Sequence, residues 1–471
     1  MSSKSLQIAE SGTRAVRFLR RAIAEARILP FVYCYPPRTS YVANEAPTDL
    51  RAVWVRDAAT GTDLNVYIHI PFCRYRCAFC GLYNITTRDG DGDLHRAYVA
   101  SVIAELKYLA PSLIGRCVRT VFIGGGTPFA IGIPLLVELL AGLATVFPNL
   151  SSTVEEVTVE ASPDSVMAVR DQLGDLVAAG VNRVSMGVQS YDIEELRRAG
   201  RAAAGPELVV QSLQALRDAG VANIGADLII GLEGQTDATM TESLDRLLSF
   251  LPETVSLYLI NPRLGTGLGR RMERFPRGNH ALYRRLSAAS AALHAAGYER
   301  ETSVQFKLPG RGGLLHKRLY FDGVSVLGLG SGARSYTADE AYLRGGGQQR
   351  SRGELETYLQ SASGTPTART GVCLSPEEAE RRMIILGLQD LAIDLVPSGM
   401  SGSFAEPYAS VFAACLELGL MVRHERALRL TERGFVYRDI ICWSLFSDQA
   451  LVRHADHGIE FGSGQRCVSA A

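Results

Sequence analysis

Charge imbalance, long apolar runs and a dense set of cysteines are all missing from this chain. Its 49 Lys and Arg residues are matched by 49 Asp and Glu, so no net field draws it toward nucleic acid. No apolar run approaches the ~20 residues that a membrane-spanning helix needs. Nine cysteines in 471 residues, with no secretory signal, are too few for a disulfide framework. Six of them (Cys34, Cys117, Cys373, Cys415, Cys442 and Cys467) are scattered and read as reduced thiols. Phosphate-loop chemistry is missing as well. The glycines at 124–126 are followed by no Gly-Lys-Ser/Thr, and those at 328–332 lack the GxGxxG spacing of a dinucleotide site. A basic amphipathic stretch over 13–23 lies between Glu10 and Glu25 and reads as a surface helix rather than a targeting peptide. With 47% apolar and 21% charged residues, what is left is a globular, cytoplasmic chain. It is expected to act as a monomer, with neither nucleic acid nor membrane as partner.

Against that sparse background three cysteines fall within eight residues. Cys73, Cys77 and Cys80 form a CxxxCxxC directly after the apolar run 66–70. Three thiolates on one tight loop can hold three irons of a four-iron cluster. No fourth cysteine lies nearby, which leaves one iron open to bind and cleave a cofactor. Two other readings use the same residues. His69 could complete a Cys3His zinc site, although such sites draw on two separated pairs. Cys77 and Cys80 could form a redox pair, which leaves Cys73 without a role.

From 62 to 262 strand and helix patterns alternate. Short β-branched runs at 65–70, 119–123, 156–160, 183–188, 223–230 and 255–260 read as buried parallel strands. Helical spacing marks 94–109, 134–146, 165–179, 193–201, 206–219 and 239–251. Six β/α units with right-handed crossovers predict a curved parallel sheet, too short to close as an eight-stranded barrel. The site is expected at the C-terminal ends of the strands. There lie the cysteine loop, the Gly124-Gly125-Gly126-Thr127-Pro128 loop, Glu160, Gln189, and Pro262 with Arg263, while Asp227 lies within the fifth strand. After 300 the alternation stops. Ser375, Pro376 and Glu378 suit the N-cap, N1 and capping-box positions of a helix running to about 391. A second helix is expected over 408–418, and a hairpin strand leading into a helix over 428–434. The expected division is a 1–60 N-terminal segment, a 61–300 core, a 301–370 extension with glycine-rich loops, a 371–450 C-terminal domain and a 451–471 flexible tail.

These residues carry a resemblance. Tyr67-Ile68-His69-Ile70-Pro71-Phe72-Cys73, followed by Cys77 and Cys80 and by the Gly124–Pro128 loop, resembles the radical S-adenosylmethionine (SAM) superfamily. More narrowly it resembles the HemN-like family of oxygen-independent coproporphyrinogen III dehydrogenases, over roughly 60–445. The resemblance implies an α/β fold: a partial (β/α)6 TIM-like barrel with an N-terminal extension and a small helical, winged-helix-like C-terminal domain. It implies a [4Fe-4S] cluster on Cys73, Cys77 and Cys80, with SAM on the open iron and a second SAM beside it. Phe79 would pack on adenine. Gly124, Gly125 and Thr127 would approach the methionine moiety, since glycine lets backbone come close. Glu160, Gln189, Arg201 and Asp227 match SAM-contacting positions. Tyr67 matches a tyrosine next to the cofactor pair, and Glu160 and Tyr67 are the expected catalytic residues. An electron donor such as flavodoxin or ferredoxin and a small-molecule substrate would be the partners. His69 is expected to be structural.

Departures from the pattern steer the choice of branch. The dehydrogenase resembles CxxxCxxCxC, and here Leu82 takes the last position. The heme-chaperone branch carries HNxxYW. Here the matching stretch 316–321 keeps His316 and Tyr320 but has Lys317 and Phe321 in place of the asparagine and the tryptophan. The Tyr35-Pro36-Pro37 segment looks like one found in HemN-like methyltransferases, cyclopropanases and heme-degrading relatives. The expectation is therefore a class C methyltransferase or cyclopropanase of natural-product biosynthesis, moving a methylene-derived carbon from SAM to an sp2 carbon. Tyr258, Arg263 and His316 are then candidate proton acceptors. The alternatives are a coproporphyrinogen III dehydrogenase and a heme-chaperone or heme-degrading protein.

Overall fold

The computed structural model describes residues 3–88, 90–261, 266–271, 279–345, 352–361, 366–388, 392–394, 408–425 and 427–455. Pro262, Arg263, Cys467, the tail beyond 455 and the expected helix end near 391 lie outside them.

One sheet of thirteen strands organises the chain. The strands are β1 (Val42–Asp49), β2 (Asp63–Ile70), β3 (Cys117–Gly125), β4 (Glu156–Ala161), β5 (Arg183–Gln189), β6 (Asn223–Ile230), β7 (Thr254–Leu259), β8 (Glu299–Arg300), β9 (Gln305–Lys307), β10 (Val326–Leu329), β11 (Arg334–Tyr336), β12 (Glu340–Leu343) and β13 (Thr367–Cys373). Their order is β1-β13-β12-β11-β10-β2-β3-β4-β5-β6-β7-β9-β8. The six expected strands are β2 to β7, all parallel neighbours. This is an α/β fold of the partial-barrel type, larger than six strands. The glycine-rich stretch at 328–332 begins as β10, a further parallel strand beside β2, with Val326 opposite Asn65 and Leu329 opposite Ile68. Antiparallel strands then extend the sheet to β1, so segments on both sides of the expected core belong to the same sheet.

The helices between the strands follow their apolar spacing, with one difference. The helix expected over 165–179 is broken into Pro163–Ala168, a 3-10 turn Arg170–Gln172 and Leu173–Ala178, because Val169 leaves helical geometry (φ −124°, ψ 16°). Buried aliphatic residues from both layers form one core running from Leu50 to Ala368.

The inner face of the sheet is hollow. Tyr67, Phe122, Glu160, Gly187 and Asp227 are each part-exposed between two buried neighbours. In a strand those neighbours point the other way, into the helix layer. The open positions therefore look onto a lumen, with Tyr67 opposite Phe122 and Gly187 opposite Asp227 in the ladder. Tyr258 continues this lining at the end of β7. A plug closes the N-terminal end of the barrel. The Gly313 carbonyl accepts from Arg183 Nε at 2.8 Å and Asn223 Nδ2 at 2.9 Å. The Glu156 carboxylate accepts from the amides of Leu315 at 2.8 Å and His316 at 3.2 Å. That carboxylate caps the helix Leu315–Phe321, which stands inside the strand ring.

The C-terminal part pairs Met421–His424 and Ala392–Asp394 with Ala427–Leu430 under the helices Pro376–Gly387, Ala409–Glu417 and Arg438–Ser444. The N-terminal helix Ser3–Ala24 lays Leu19, Ala22 and Ile23 on this core. Ser375 caps its helix by accepting from Glu378 N at 3.2 Å. The Glu378 carboxylate does not close the expected capping box. It is taken up by Tyr35, by Arg381 at 3.2 Å and by Ser447 at 3.2 Å. No helix among the described residues is long and apolar enough to cross a membrane.

Candidate active site

The cysteine loop leaves the C-terminal end of β2 and is clamped from two sides. Gly126 N donates to Ile70 O at 2.8 Å and Thr127 N to Phe72 O at 2.7 Å. A Cβ on Gly126 would lie 2.5 Å from Phe72 O and 3.0 Å from Cys73 Sγ, so only glycine permits this approach. On the other side Ala78 N donates to Ala199 O at 2.9 Å and Leu268 N to Ala78 O at 2.8 Å. Phe79 lies there in a shallow recess with Ala199, Leu232 and Leu268.

Each of the three sulfurs meets a separate donor. Thr127 Oγ1 lies 3.7 Å from Cys73 Sγ, Arg201 Nη1 3.3 Å from Cys77 Sγ and Asn84 Nδ2 3.4 Å from Cys80 Sγ. Burial pushes the Cys73 thiol up to about 12, so a thiolate there needs a cation against it. Among the described residues no three His, Cys, Asp or Glu side chains converge closely enough to hold one metal ion. One thiolate per iron, with donors at the sulfurs, is the pattern of an iron–sulfur cluster. The chain's donor set therefore fits a [4Fe-4S] group better than a zinc site.

His69 is structural. Its Nε2 donates to Tyr83 O at 2.9 Å, which leaves Nδ1 to accept from the Tyr67 hydroxyl at 2.9 Å. Burial lowers the ring to about 4, so it is neutral. Its edge packs where a Cβ on Gly125 would lie 2.5 Å away, at φ +114°. Tyr67 is thereby held with its ring on the lumen. Burial first, then the charge of Glu160, keeps its hydroxyl protonated.

Glu160 and Asp227 bring two carboxyl groups to the same hollow. Burial pushes Glu160 up to about 7; the Gly125 amide, donating at 2.8 Å, opposes this and the Asp227 charge adds to it. Asp227 is raised by burial and eased by a hydrogen bond with Ser256. A Cβ on Gly124 would lie 2.8 Å from Glu160 Oε2. Gln189 sits at φ +72°, and its buried Oε1 has no hydrogen-bond partner among the described residues. An orphaned amide oxygen beside two carboxyl groups is what a bound ligand with donor groups would satisfy. Glycine, carboxylate and amide thus meet beside the cluster loop, where the resemblance puts SAM.

Arg201 lies between that group and the cysteine loop: its Nη1 faces Cys77 at 3.3 Å, its Nη2 donates to Gly187 O at 2.6 Å, and its charge acts on Asp227. His316 is buried in the plug. Thr120 Oγ1 gives its proton to Asn65 Oδ1 at 2.7 Å, so His316 Nδ1 is the donor to Thr120 at 2.8 Å. The ring is lowered to about 3 by burial and by Arg183 and takes no proton near neutrality. The sequence reading did not single out Asn84, four residues beyond Cys80, or the lumen-facing Phe31, Tyr33 and Arg334.

Residues 67–247 match the model of the radical SAM superfamily. The chain is 31% identical over 301 residues to the heme chaperone HemW of Escherichia coli, covering 63% of this chain and 77% of the relative. It is 28% identical over 447 residues to the oxygen-independent coproporphyrinogen III oxidase of Salmonella typhimurium, covering 88% and 93%. The solved structure of HemN, the coproporphyrinogen III oxidase of Escherichia coli, shares the fold with a TM-score of 0.72 at 23% identity, covering 88% of this chain and 96% of that one. These relatives overturn the expected carbon transfer. They are heme chaperones and porphyrinogen oxidases over most of the chain, and the methyltransferase and cyclopropanase branch finds no support among them. The Tyr35-Pro36-Pro37 segment weighed too much in that reading: its tyrosine is a buried anchor bonded to Glu378 and Ser447. With its cofactors, a [4Fe-4S] cluster and SAM, the chain belongs to the HemN-like family of the radical SAM superfamily, the family of coproporphyrinogen oxidase and HemW.

Proposed function

We infer that this protein is a radical SAM enzyme acting on a porphyrinogen-class tetrapyrrole held in the barrel lumen. The observation that carries the reading is the 447-residue relationship to an oxygen-independent coproporphyrinogen III oxidase. It is joined to a hollow whose aromatic wall of Tyr67, Phe122 and Tyr258 suits a large pyrrolic ring. When bound, the cluster and SAM supply a carbon-centred radical for hydrogen abstraction. The chain's own residues supply the rest. Cys73, Cys77 and Cys80 fix the cluster and the donors Thr127, Arg201 and Asn84 hold the sulfurs. Gly124, Gly125, Glu160, Gln189 and Asp227 cradle SAM, with Phe79 against its adenine. Tyr67, locked on His69, orients the cofactor toward the lumen. A one-electron donor of the flavodoxin or ferredoxin type would supply the electron, and a second SAM would be held beside the first, as in the HemN-like family.

The test is anaerobic turnover of reconstituted protein with SAM, coproporphyrinogen III, a one-electron reductant for SAM cleavage and a one-electron acceptor for the electron released on decarboxylation. Formation of 5′-deoxyadenosine with matched loss of carbon dioxide supports the reading; substrate recovered unchanged while SAM is intact and bound sinks it.

Heme binding without SAM turnover is the second reading, favoured by the HemW relatives. In this chain His316 is committed to Thr120 inside the plug. Heme ligation through it would require the plug helix to open.

A further inference from the structure

Two cations face the lumen with no carboxylate paired to either. Lys317, on the plug helix, makes no ion pair among the described residues. Its ammonium is ringed by Phe31 at 5.3 Å, Tyr258 at 5.8 Å and Phe321 at 6.0 Å. Asp227 and Glu301 influence its charge, yet neither is within ion-pair distance. Arg334, at the start of β11, lies over Tyr33 at 5.0 Å. Its only hydrogen bonds among the described residues are long ones to neutral groups, Cys34 Sγ at 3.7 Å and Tyr336 Oη at 3.5 Å. Both cations are part-exposed, so their free N–H groups have somewhere to point. Taking a cation out of water without an anion is costly. Two other deep arginines have one, Arg344 with Glu105 and Arg116 with Asp57, whereas the buried Arg183, Arg201 and Arg382 make no ion pair among the described residues; what distinguishes Lys317 and Arg334 is their place on the lumen wall.

The two cations are joined by one strip of aromatic surface. Phe31 and Tyr33 stack at 6.2 Å and 25°, and Phe31 meets Tyr258 edge-on at 6.0 Å. Residues 31–34 alternate open and buried, which turns both rings to the lumen. Lys317, Phe31, Tyr33 and Arg334 therefore form a continuous wall: cation, ring, ring, cation.

We propose that Lys317 and Arg334 are the carboxylate anchors of this site, and that the Phe31–Tyr33 strip between them takes the face of an aromatic ring in a ligand carrying at least two separated carboxylates. The assignment rests on the lumen being the substrate site, as the tetrapyrrole reading has it. It adds the feature of the substrate that is read, which is separated negative charge on an aromatic-sized face. A guanidinium offers a carboxylate two parallel hydrogen bonds, and an ammonium boxed by rings has already lost part of its hydration.

The test is equilibrium binding to the reconstituted full-length protein of coproporphyrin III and of its tetramethyl ester, which keeps the ring and removes the charge. Biphenyl dicarboxylate and its dimethyl ester serve as a pyrrole-free pair. At least one free acid should bind more than about tenfold tighter than its ester, which is about 1.4 kcal/mol. K317M and R334M should each remove most of that preference and leave the ester unaffected, while K317R and R334K retain it. Equal affinity of acid and ester, or free-acid affinity unchanged in both Met variants, overturns the proposal whether or not a porphyrinogen is turned over. If the biphenyl diacid shows the dependence and coproporphyrin does not bind, the proposal stands and the tetrapyrrole reading falls. Loss of a bound SAM in R334M, with the acid preference intact, would give Arg334 to the cofactor's own carboxylate and overturn its role here. Should a Met variant fail to fold, the acid–ester comparison on the unaltered chain still decides.

Discussion

Arg201 Nη1 lies 3.3 Å from Cys77 Sγ, twelve residues beyond the strand-end Gln189 and 124 residues beyond the cysteine it serves. The contact places a residue expected on SAM within reach of a cluster cysteine as well. A cationic donor at a cluster sulfur favours the reduced, more negative state. Arg201→Met should therefore lower the reduction potential, by about 60 mV if the contact is worth tenfold in a one-electron equilibrium. A redox titration followed by electron paramagnetic resonance reads the shift. An unchanged or raised potential would place Arg201 elsewhere.

Gly126 tests the clamp on the cysteine loop. The nearest atoms to an added Cβ are backbone oxygens and Cys73 Sγ, none of which is a flexible chain end. Gly126→Ala should cut iron and sulfide content well below that of the parent protein while far-ultraviolet circular dichroism stays near-native. Full cluster loading in this variant would show that the loop can move aside.

The Glu160 carboxyl sets a pH dependence whose sign follows from its raised value. Its ordinary value is 4.5 and burial takes it to about 7. Below pH 4.5 both folded and unfolded chains hold the proton, so no stability is lost. Between 4.5 and 7 only the unfolded chain releases it, and stability falls as pH rises through that window. Glu160→Gln removes the penalty. Without SAM, thermal unfolding should be equal for the two proteins near pH 4.5. At pH 8 the Gln variant should be the more stable, by up to about 3 kcal/mol at ~1.4 kcal/mol per pH unit.

Glu105 holds the back of the site together. It pairs with Arg344, accepts from Tyr358 Oη at 2.7 Å and takes the Gly330 amide at 3.1 Å. Glu105→Ala would remove the carboxylate that faces the buried Arg344 guanidinium. Denaturant unfolding should show a loss of roughly 3–5 kcal/mol, and a loss below about 1 kcal/mol would mean that Arg344 finds water.

How far the sequence could be read depended on the range of the interactions. Strands β2 to β7 were legible because each is a β-branched run between helical repeats, and their parallel neighbours lie one unit away. β10 was not: four residues flanked by glycines read as a turn, and its partner Asn65–Ile68 lies some 260 residues earlier. The cysteines, Gly124, Gly125, Glu160 and Gln189 could be singled out because they stand at or just past strand ends, and Asp227 because it is a carboxylate inside an apolar strand run. Asn84 and Arg334 were missed because their roles come from where loops fold back, which composition does not record. Lys317 was noticed only as a departure from a motif, and its aromatic surroundings come from Phe31, nearly 290 residues away. The choice of branch failed because one short segment was given more weight than the similarity of the whole chain.

The most direct test of the central claim is product analysis of anaerobically reconstituted protein given SAM, a one-electron reductant, a one-electron acceptor and coproporphyrinogen III. The account predicts 5′-deoxyadenosine formed together with a decarboxylated porphyrinogen, both lost when Cys73, Cys77 and Cys80 are replaced by alanine. Accumulation of S-adenosylhomocysteine with a methylated product, or heme retained with no cleavage of SAM, would contradict it.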